Sequence, residues 1–483
     1  MALFYTGMIG YYLLGSFLIS ILLFFNRNKL LNYLLIVIFT ALQWVFTIYE
    51  YNHLNTTELV YFTPDSLAII FLGILSVLCV PVFYHSYIYF NKNPKMPPRQ
   101  LAIYFAAMVV LLTSCSAAYL SNHIAITWIF VELTTLSASA LIYHRRNTRT
   151  LEGTWKYIFV CSISITLVFI GILFLSIAVQ QSGGTDLFYK ELFDKAKGMN
   201  VFWLKLAFLF IFTGFTSKAG LVPMYTAGID AKDKAPSPAG ALFGSVLMNV
   251  GFIGIFRFYQ IISPTSIFPW ANKILLITGL LSVFVATVYM IRVKNFKRML
   301  AYSSVEHMGL IVIGLAAGGI GRYAAILHLV LHSFAKPTLF FQIGQVYRIY
   351  KSKSIYDVGD YFKHNIWGAL VLLFAFFVVT AMPPSGMFVS EFLIFRALFE
   401  SGNIWLLIVI LLLLTMIIWS FGKNIFKMLF IKPVNFNEEN IEKISPVESI
   451  SQFILLGMVI YLGLNPPAEL VNLMNSAISN LPK

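Results

Sequence analysis

The sequence predicts an all-α, polytopic membrane protein that crosses the bilayer about fourteen times. Of its 483 residues, 59% are hydrophobic and 11% are charged, and the mean hydropathy is +0.81. Soluble domains carry about a quarter charged residues, so this composition favours the membrane. Apolar stretches of about 20 residues, the length that a helix needs to cross the hydrocarbon core, recur along nearly the whole chain. We therefore expect a single integral membrane domain over residues 1–483.

These apolar stretches define the predicted spans in order. They lie at residues 7–26, 29–49, 66–90, 101–120, 123–144, 155–180, 201–226, 237–260, 271–291, 299–318, 322–347, 364–399, 404–430 and 448–464. The first five residues contain no Lys or Arg, so we expect the first stretch to be a true span rather than a cleaved signal peptide. The more polar stretches, chiefly 180–200 and 432–447, are too short to form separate domains.

Positive charge is distributed unevenly between the connections. The formal net charge is +14, and Lys and Arg concentrate in the odd-numbered connections, within 27–29, 92–99, 145–149, 294–298, 351–353 and 432–443. The second connection instead carries Glu50, Glu58 and Asp65. Because Lys and Arg are retained on the cytoplasmic side, we expect a cell inner (cytoplasmic) membrane protein with both termini on the outer side. Charge at the membrane edges suits anionic lipid, so a nucleic-acid partner is not needed to explain it.

No sequence pattern indicates a cofactor or a catalytic centre. The three cysteines, Cys79, Cys115 and Cys161, lie in or beside apolar stretches without CxxC spacing, which argues against an iron–sulfur cluster or a structural zinc site. The sequence also has no P-loop and no GxGxxG motif that opens a helix, so ATP-driven transport is not indicated. We expect no cofactor, no metal and no catalytic residue here, and we assign any electron transfer to a partner subunit.

The eleventh predicted span carries the most informative pattern. His328, His332 and Lys336 lie four residues apart in an apolar stretch, and at 3.6 residues per turn they share one helix face. A charge near the bilayer centre costs about 2.5–3.5 kcal/mol on insertion scales, so such a stripe normally faces a protein interior or a water-filled path. The stripe therefore predicts part of a proton relay.

Further ionisable residues lie inside other predicted spans. Glu132 lies near the middle of the fifth span and Lys218 late in the seventh, while Glu306 and His307 lie in the tenth and Glu391 in the twelfth. A lone buried histidine or a Glu–Lys pair can also be a static contact between helices. The occurrence of several such groups in one chain favours the relay, because each static contact would need its own explanation.

Prolines accompany two of these groups. Pro223 follows Lys218, and Pro383 and Pro384 precede Glu391. A proline within a helix removes one backbone hydrogen bond and frees a carbonyl group, which a membrane tolerates only against protein or water. We therefore expect helix breaks that face a hydrated interior, as in transporters. Glu306 and His307 are possible auxiliary relay groups, and Lys205 is either an anchor that reaches the membrane surface or a further auxiliary relay group.

Three segments resemble a known family in both sequence and order. They are GFTSKAGLVPM at 214–224 with APSP at 235–238, then AYSSVEHMG at 301–309 with residues 328–341, and then PPSGMFVSEFL at 383–393. Together they resemble the antiporter-like subunits of complex I and related hydrogenases. The SSVEHMG form resembles the group 4 hydrogenase branch, in particular hydrogenase-4 component F.

The resemblance implies a fold and a function. It implies fourteen helices with two inverted five-helix repeats, whose seventh and twelfth helices are broken. Residues 1–100 would hold the first three helices, 101–260 the first repeat, 261–400 the second and 401–483 the C-terminal helices. It further implies that Glu132 pairs with Lys218, that His332 and Lys336 bridge the middle, and that Glu391 is the exit-side group. In the family, such subunits translocate protons in response to redox chemistry in partner subunits.

Two segments depart from the family pattern. Where relatives usually read HTWLPDAH, this chain has YTAGIDAK at 225–232, and Asn249, which cannot titrate, replaces a lysine of respiratory relatives. Three hypotheses remain open. The chain is a proton-translocating subunit that assembles with other membrane subunits of a hydrogenase-like or NADH/quinone oxidoreductase-like complex. Alternatively, it belongs to a cation/proton antiporter or an ion-coupled uptake complex that moves protons or Na⁺ without a redox partner, or it is a scaffold with an inactive relay.

Overall fold

A computed structural model of the protein describes residues 7–433, 436 and 441–482. Over these residues the chain forms twenty α-helices and three short 3-10 helices, and its only β-structure is a few isolated bridges. Thirteen helical spans of the described residues are long and apolar enough to cross a membrane, and three of them, Ile124–Arg145, Ser237–Ile262 and Pro446–Leu464, are made of consecutive helical elements. The predicted all-α, polytopic membrane fold is therefore confirmed, whereas the division into inverted repeats and the side on which the termini lie stay predictions.

The first ten helices lead from the N-terminus to the middle of the chain. They are α1 (Met8–Phe25), α2 (Lys29–Asn52), α3 (Ser66–Asn91), α4 (Pro98–Leu120), α5 (Ile124–Ile142), α6 (Thr148–Gln181), α7 (Tyr189–Lys195), α8 (Val201–Ala219), α9 (Thr226–Lys234) and α10 (Ser237–Phe243). Local side chains set several helix starts. Asn147 and Thr150 form a capping box at the start of α6, which satisfies backbone N–H groups that lack helical partners.

The remaining ten helices complete the bundle. They are α11 (Val246–Ile262), α12 (Phe268–Arg292), α13 (Phe296–Ala317), α14 (Ile320–Tyr350), α15 (Tyr361–His364), α16 (Ile366–Val379), α17 (Gly386–Glu400), α18 (Ile404–Phe430), α19 (Ile450–Leu464) and α20 (Ala468–Ile478). Helix α14 continues through Pro337, which lies inside it.

The predicted twelfth span, 364–399, in which a helix break is expected at Pro383 and Pro384, falls on two helices. They are α16 and α17, separated by residues 380–385. Pro383 and Pro384 lie in this interval, and two consecutive prolines remove two backbone N–H donors, which favours a break in the helical hydrogen bonding. The N-cap residue Ser385 then starts α17 by accepting a hydrogen bond from the backbone N–H of Phe388.

A second interval, residues 220–225, separates α8 from α9 and contains Pro223. Helix α8 ends at Gly220, whose φ of +75° is the left-handed conformation that glycine adopts without strain. That each pair of shorter helices acts as one broken membrane helix stays a prediction.

Three spans form the interior of the bundle. They are Ser237–Ile262, Phe296–Ala317 and Ile320–Tyr350, and all of the 18 residues in the most apolar stretch of each span are buried. In α18, only 28% of the corresponding 18 residues are buried. Helix α18 therefore forms part of the outer surface, while α13 and α14 are enclosed by other helices. Ionisable side chains on α13 and α14 consequently face protein rather than lipid.

Candidate functional site

Six ionisable side chains meet on α13, α14 and α17, and we call them the central cluster. They are Glu306, His307, His328, His332, Lys336 and Glu391. All six are buried, and the three histidines and the lysine have no exposed surface. The structure thus brings four of the predicted relay residues and two of the possible auxiliary ones, Glu306 and His307, into one region. Because burying unpaired charges is costly, such a group is expected to be neutralised, hydrogen-bonded or functional.

Two histidines connect the three helices of the central cluster. His307 Nδ1 lies 3.1 Å from His328 Nε2, and His328 Nδ1 lies 2.9 Å from Ser390 Oγ. A neutral imidazole has one donor and one acceptor nitrogen, so His328 can donate at one side and accept at the other. The arrangement is that of a hydrogen-bonded chain along which a proton can move. Ser390 was missed from the sequence, because only the packing of α17 on α14 shows its role.

Both carboxylates of the central cluster lie beside His307. Its Nδ1 is 3.6 Å from Glu306 Oε1 and 3.9 Å from Glu391 Oε1. Glu306 and Glu391 also line a cavity of about 180 Å³, together with Thr380 and Thr415. The cavity is large enough for water. Its other lining residues are mostly apolar, so Glu306 and Glu391 are the ionisable groups that face this cavity among the described residues.

His332 and Lys336 lie at the other end of the central cluster. Lys336 Nζ donates a hydrogen bond of 2.7 Å to Ser303 Oγ on α13. The His332 ring lies 5.4 Å from that of His307, and among the described residues neither of its nitrogens has a hydrogen-bond partner. His332 is therefore free to bond to a mobile partner. The direct link between His332 and Lys336 stays a prediction.

The predicted direct pair of Glu132 and Lys218 is not what the structure shows. Lys218 Nζ donates to Thr135 Oγ1 at 2.8 Å and to Tyr157 OH at 3.1 Å, while the Thr135 hydroxyl lies 3.1 Å from Glu132 Oε2. The two charges are thus joined through Thr135, and we call these four residues the lateral cluster. The physical reason is local: Thr135 lies one turn after Glu132 on α5 and stands between its carboxylate and the ammonium group.

Lys205, the proposed auxiliary group, lies apart from both clusters. Its ammonium lies over the Trp270 ring, 5.3 Å from the ring centre, a favourable cation–π contact. It also precedes Lys218 on α8 by thirteen residues, which corresponds to about 20 Å along the helix. The contact with Trp270 supports the role of an anchor, and no contact among the described residues connects Lys205 to the relay.

Lys232 is a buried cation that the sequence analysis did not include in the relay. It is 2% exposed, and its Nζ lies 3.2 Å from the thioether sulfur of Met248, a weak acceptor. Helix α9, which carries Lys232, packs against both α6 and α13. Lys232 therefore lies between the lateral and central clusters. The sequence feature that could have identified Lys232 was its position at the end of the YTAGIDAK segment. That segment was interpreted only as a departure from the family pattern.

Part of the central cluster also has the spacing of a metal-binding group. One ligand atom each from His307, His328 and Glu391 lies within 4.8 Å of the others. Imidazole nitrogen and carboxylate oxygen suit several divalent ions. The hydrogen bond between the two histidines accounts for the same spacing without an ion, so the geometry alone does not require a metal.

Comparisons with known proteins identify relatives over most of the chain. A family model described as NADH:quinone oxidoreductase/Mrp antiporter, transmembrane, matches residues 121–417. The chain is 30% identical over 352 residues to the hydrogenase-4 component F homolog of Methylacidiphilum infernorum, across 71% of this chain and 73% of that protein. It is 25% identical over 357 residues to hydrogenase-4 component B of Escherichia coli, across 70% of this chain and 51% of that protein.

A solved structure shares the fold. It is a chain of the membrane-bound sulfane sulfur reductase, an archaeal respiratory membrane complex. The TM-score is 0.85 at 22% sequence identity, and the match covers 98% of this chain and 96% of that chain. The similarity extends over the whole bundle, including the helices that carry both clusters.

Proposed function

Because the chain belongs to the NADH:quinone oxidoreductase/Mrp antiporter transmembrane family, we propose that it translocates protons as a subunit of a redox-driven membrane complex. It is an antiporter-like membrane subunit homologous to hydrogenase-4 and complex I subunits. In this proposal, the redox chemistry takes place in partner subunits, and this chain moves protons through its buried side chains.

One observation carries the proposal: the run from Glu306 through His307 and His328 to Ser390, which crosses three helices inside the bundle. The contacts within it measure 3.6, 3.1 and 2.9 Å. Proton transfer needs groups within hydrogen-bond reach or joined by one water. The two histidine contacts meet the first condition, whereas the 3.6 Å step from Glu306 is longer than a hydrogen bond and needs a closer approach or a bridging water. A purely static contact would need only one such pair to hold two helices together.

The proposed route has three parts. The lateral cluster, with Glu132 and Lys218, passes charge toward the middle of the chain, and Lys232 connects it to the central cluster. From His332 and Lys336 the proton reaches the paired histidines. It then leaves through Glu391 into the cavity that this carboxylate lines together with Glu306. Two unit charges about 4 Å apart interact by about 4 kcal/mol at an effective dielectric constant of 20, enough to load and unload such groups in sequence.

The partners and location follow from the same reasoning. We assign the chain to a hydrogenase-like or NADH/quinone oxidoreductase-like assembly with other membrane subunits, in the cell inner membrane with both termini outside. Lys and Arg at the membrane edges meet anionic lipid. Protons are the transported ion, and Na⁺ is the alternative.

The test measures proton transport by the intact complex in vesicles and compares the parental protein with Lys336→Met. Methionine keeps the length and apolar stem of lysine but not the amine, so the bundle stays packed while the titrating group is lost. We expect proton uptake to fall by about a hundredfold, the usual worth of a positioned acid or base. A pH-sensitive dye inside the vesicles measures the uptake, and Lys205→Met is the matched control because Lys205 lies against Trp270.

The outcomes separate the hypotheses. Parental proton stoichiometry in assembled Lys336→Met would remove α14 from the route. Transport that requires no redox partner but depends on an imposed Na⁺ or proton gradient would instead favour a cation/proton antiporter or an ion-coupled uptake complex. Full activity of the assembled complex without Lys218 would favour a scaffold.

A further inference from the structure

A second cavity, of about 480 Å³, has a lining that shares no residue with the cavity beside Glu306 and Glu391, and we call it the basic cavity. Its wall contains six cationic side chains, contributed by Lys92, Arg145, Lys297, Arg348, Lys351 and Lys353. None of these residues belongs to the central or the lateral cluster. The cavity lies where α3 and α14 end and where α6 and α13 begin. Proton transfer through the histidines does not explain this concentration of positive charge.

Carboxylates neutralise only part of this charge. Glu442 is shared between three of the cations, at 3.3 Å from Lys92, 3.7 Å from Arg348 and 3.7 Å from Lys351. Glu448 pairs with Arg348 Nη2 at 2.5 Å. Glu442 carries one negative charge and is surrounded by three cations. Most of their positive charge therefore stays uncompensated, because each added cation is attracted to Glu442 but also repelled by the other cations.

The third carboxylate near the cavity is also shared. Asp233 Oδ1 lies 3.2 Å from Lys353 Nζ, and Asp233 Oδ2 lies 2.9 Å from Lys234 Nζ. Among the described residues, the six cations in the wall therefore face Glu442 and Glu448, with Asp233 beside Lys353, so these cations outnumber the carboxylates near them by three.

Two of the cations have no carboxylate partner among the described residues. Lys297 is 4% exposed, and its Nζ donates 2.9 Å to the backbone carbonyl of Ala235, which leaves two of its three donors without a recorded acceptor. The Arg145 guanidinium lies over the Tyr347 ring, 5.2 Å from its centre. A buried cation without a counter-charge is costly, and an oxyanion bound beside Lys297 and Arg145 would supply the counter-charge that neither receives from a described carboxylate.

We propose that the basic cavity binds a phosphate-type oxyanion. Arginine and lysine are the residues that recognise phosphate oxygens, and Arg145, Arg348 and Lys297 supply donors from three different helical segments. The amide groups of Asn147 and Gln345 in the same wall add neutral donors. The phosphate group comes either from an anionic phospholipid headgroup or from free inorganic phosphate. This inference goes beyond proton translocation and stands without it.

The experiment uses the intact complex purified in detergent and has two arms. In the first, bound phospholipid is extracted and quantified by mass spectrometry. In the second, the delipidated complex is titrated with inorganic phosphate by calorimetry. Arg145→Gln and Lys297→Gln are compared with Arg146→Gln and Lys294→Gln, which change the same charge in the same connections but do not line the cavity. We expect the cavity variants to lose binding at least tenfold and the controls to retain it.

A third variant protects the test against misfolding. The Lys351 side chain is 69% exposed at the cavity mouth, so Lys351→Gln leaves the bundle intact and should weaken binding about threefold. Phospholipid retained by the parental complex and lost from the cavity variants would identify the headgroup as the source. Phosphate binding without retained phospholipid would identify the free anion. The proposal is overturned if the parental complex binds neither, or if Arg145→Gln and Lys351→Gln bind as tightly as the controls.

Discussion

Gly251 of α11 tests how the protein positions Lys218. A Cβ added at Gly251 would lie 2.6 Å from the carbonyl carbon of Lys218 and 2.8 Å from the Cα of Ala219. Non-bonded carbon atoms prefer about 3.5–4.0 Å, so Gly251→Ala must push α8 and α11 apart by about 1 Å. Overpacking of this kind costs about 1–3 kcal/mol. Because Lys218 Nζ lies 2.8 Å from Thr135 Oγ1, the same displacement would stretch that hydrogen bond beyond its useful range.

The assay compares proton uptake and thermal unfolding of the intact complex in vesicles. A misplacement of about 1 Å at a reacting group can cost about a hundredfold in rate, so we expect transport to fall more than the modest loss of stability explains. Gly73→Ala is the matched control, because no neighbouring atom lies within 4 Å of a Cβ added at Gly73 in α3. Parental transport and parental unfolding temperature in Gly251→Ala would refute the idea that this contact positions Lys218.

Three further predictions use other contacts. Thr135→Val removes the hydroxyl between Lys218 and Glu132, so it should destabilise the protein by about 1–3 kcal/mol and slow proton uptake. Thr134→Val is the control and should not slow uptake, because the Thr134 hydroxyl contacts only its own helix. Burial alone would raise the pKa of Asp233, but Lys353 and Lys234 lower that pKa from 3.8 to about 2. The resulting stability of about 2 kcal/mol is present above about pH 4 and lost as the pH falls toward about 2, so thermal unfolding of Asp233→Asn should lack this pH dependence. With both termini outside, a terminal cysteine should react with an impermeant thiol reagent on intact cells, and labelling only after the cytoplasmic face is opened would contradict that orientation.

The fold class could be predicted from the sequence because hydrophobicity alone decides membrane insertion. Apolar stretches such as 404–430 correspond closely to α18, since a helix exposed to lipid must be apolar along its length. For the predicted twelfth span, 364–399, hydropathy does not give the bounds of the two helices, because it averages over polar interruptions. Pro383 and Pro384 were recognised as a break, but the local hydropathy does not show that α16 stops at Val379.

The candidate site could be predicted only within single helices. His328 and Lys336 are separated by two steps of four residues, so helix geometry alone places them on one face of α14. The contact of His307 with His328 lies between helices, and helical periodicity carries no information on which neighbour a side chain meets. Lys232 was missed for the same reason: its burial depends on the packing of α9 against α6 and α13 rather than on its own segment.

Helix α11 joins the two clusters mechanically, although it carries no titrating group of the proposed route. The amide Nδ2 of Asn249 lies 3.0 Å from the hydroxyl of Ser333, which directly follows His332 on α14. Two residues after Asn249, Gly251 packs against the backbone of Lys218. If a displacement of Lys218 moves α11 as a rigid element, it either shifts α14 or breaks the contact between Asn249 and Ser333. In the proposed route we therefore expect Asn249 to have a positioning role, for which a non-titrating amide is suited because its hydrogen-bonding groups do not change when a cluster gains or loses a proton.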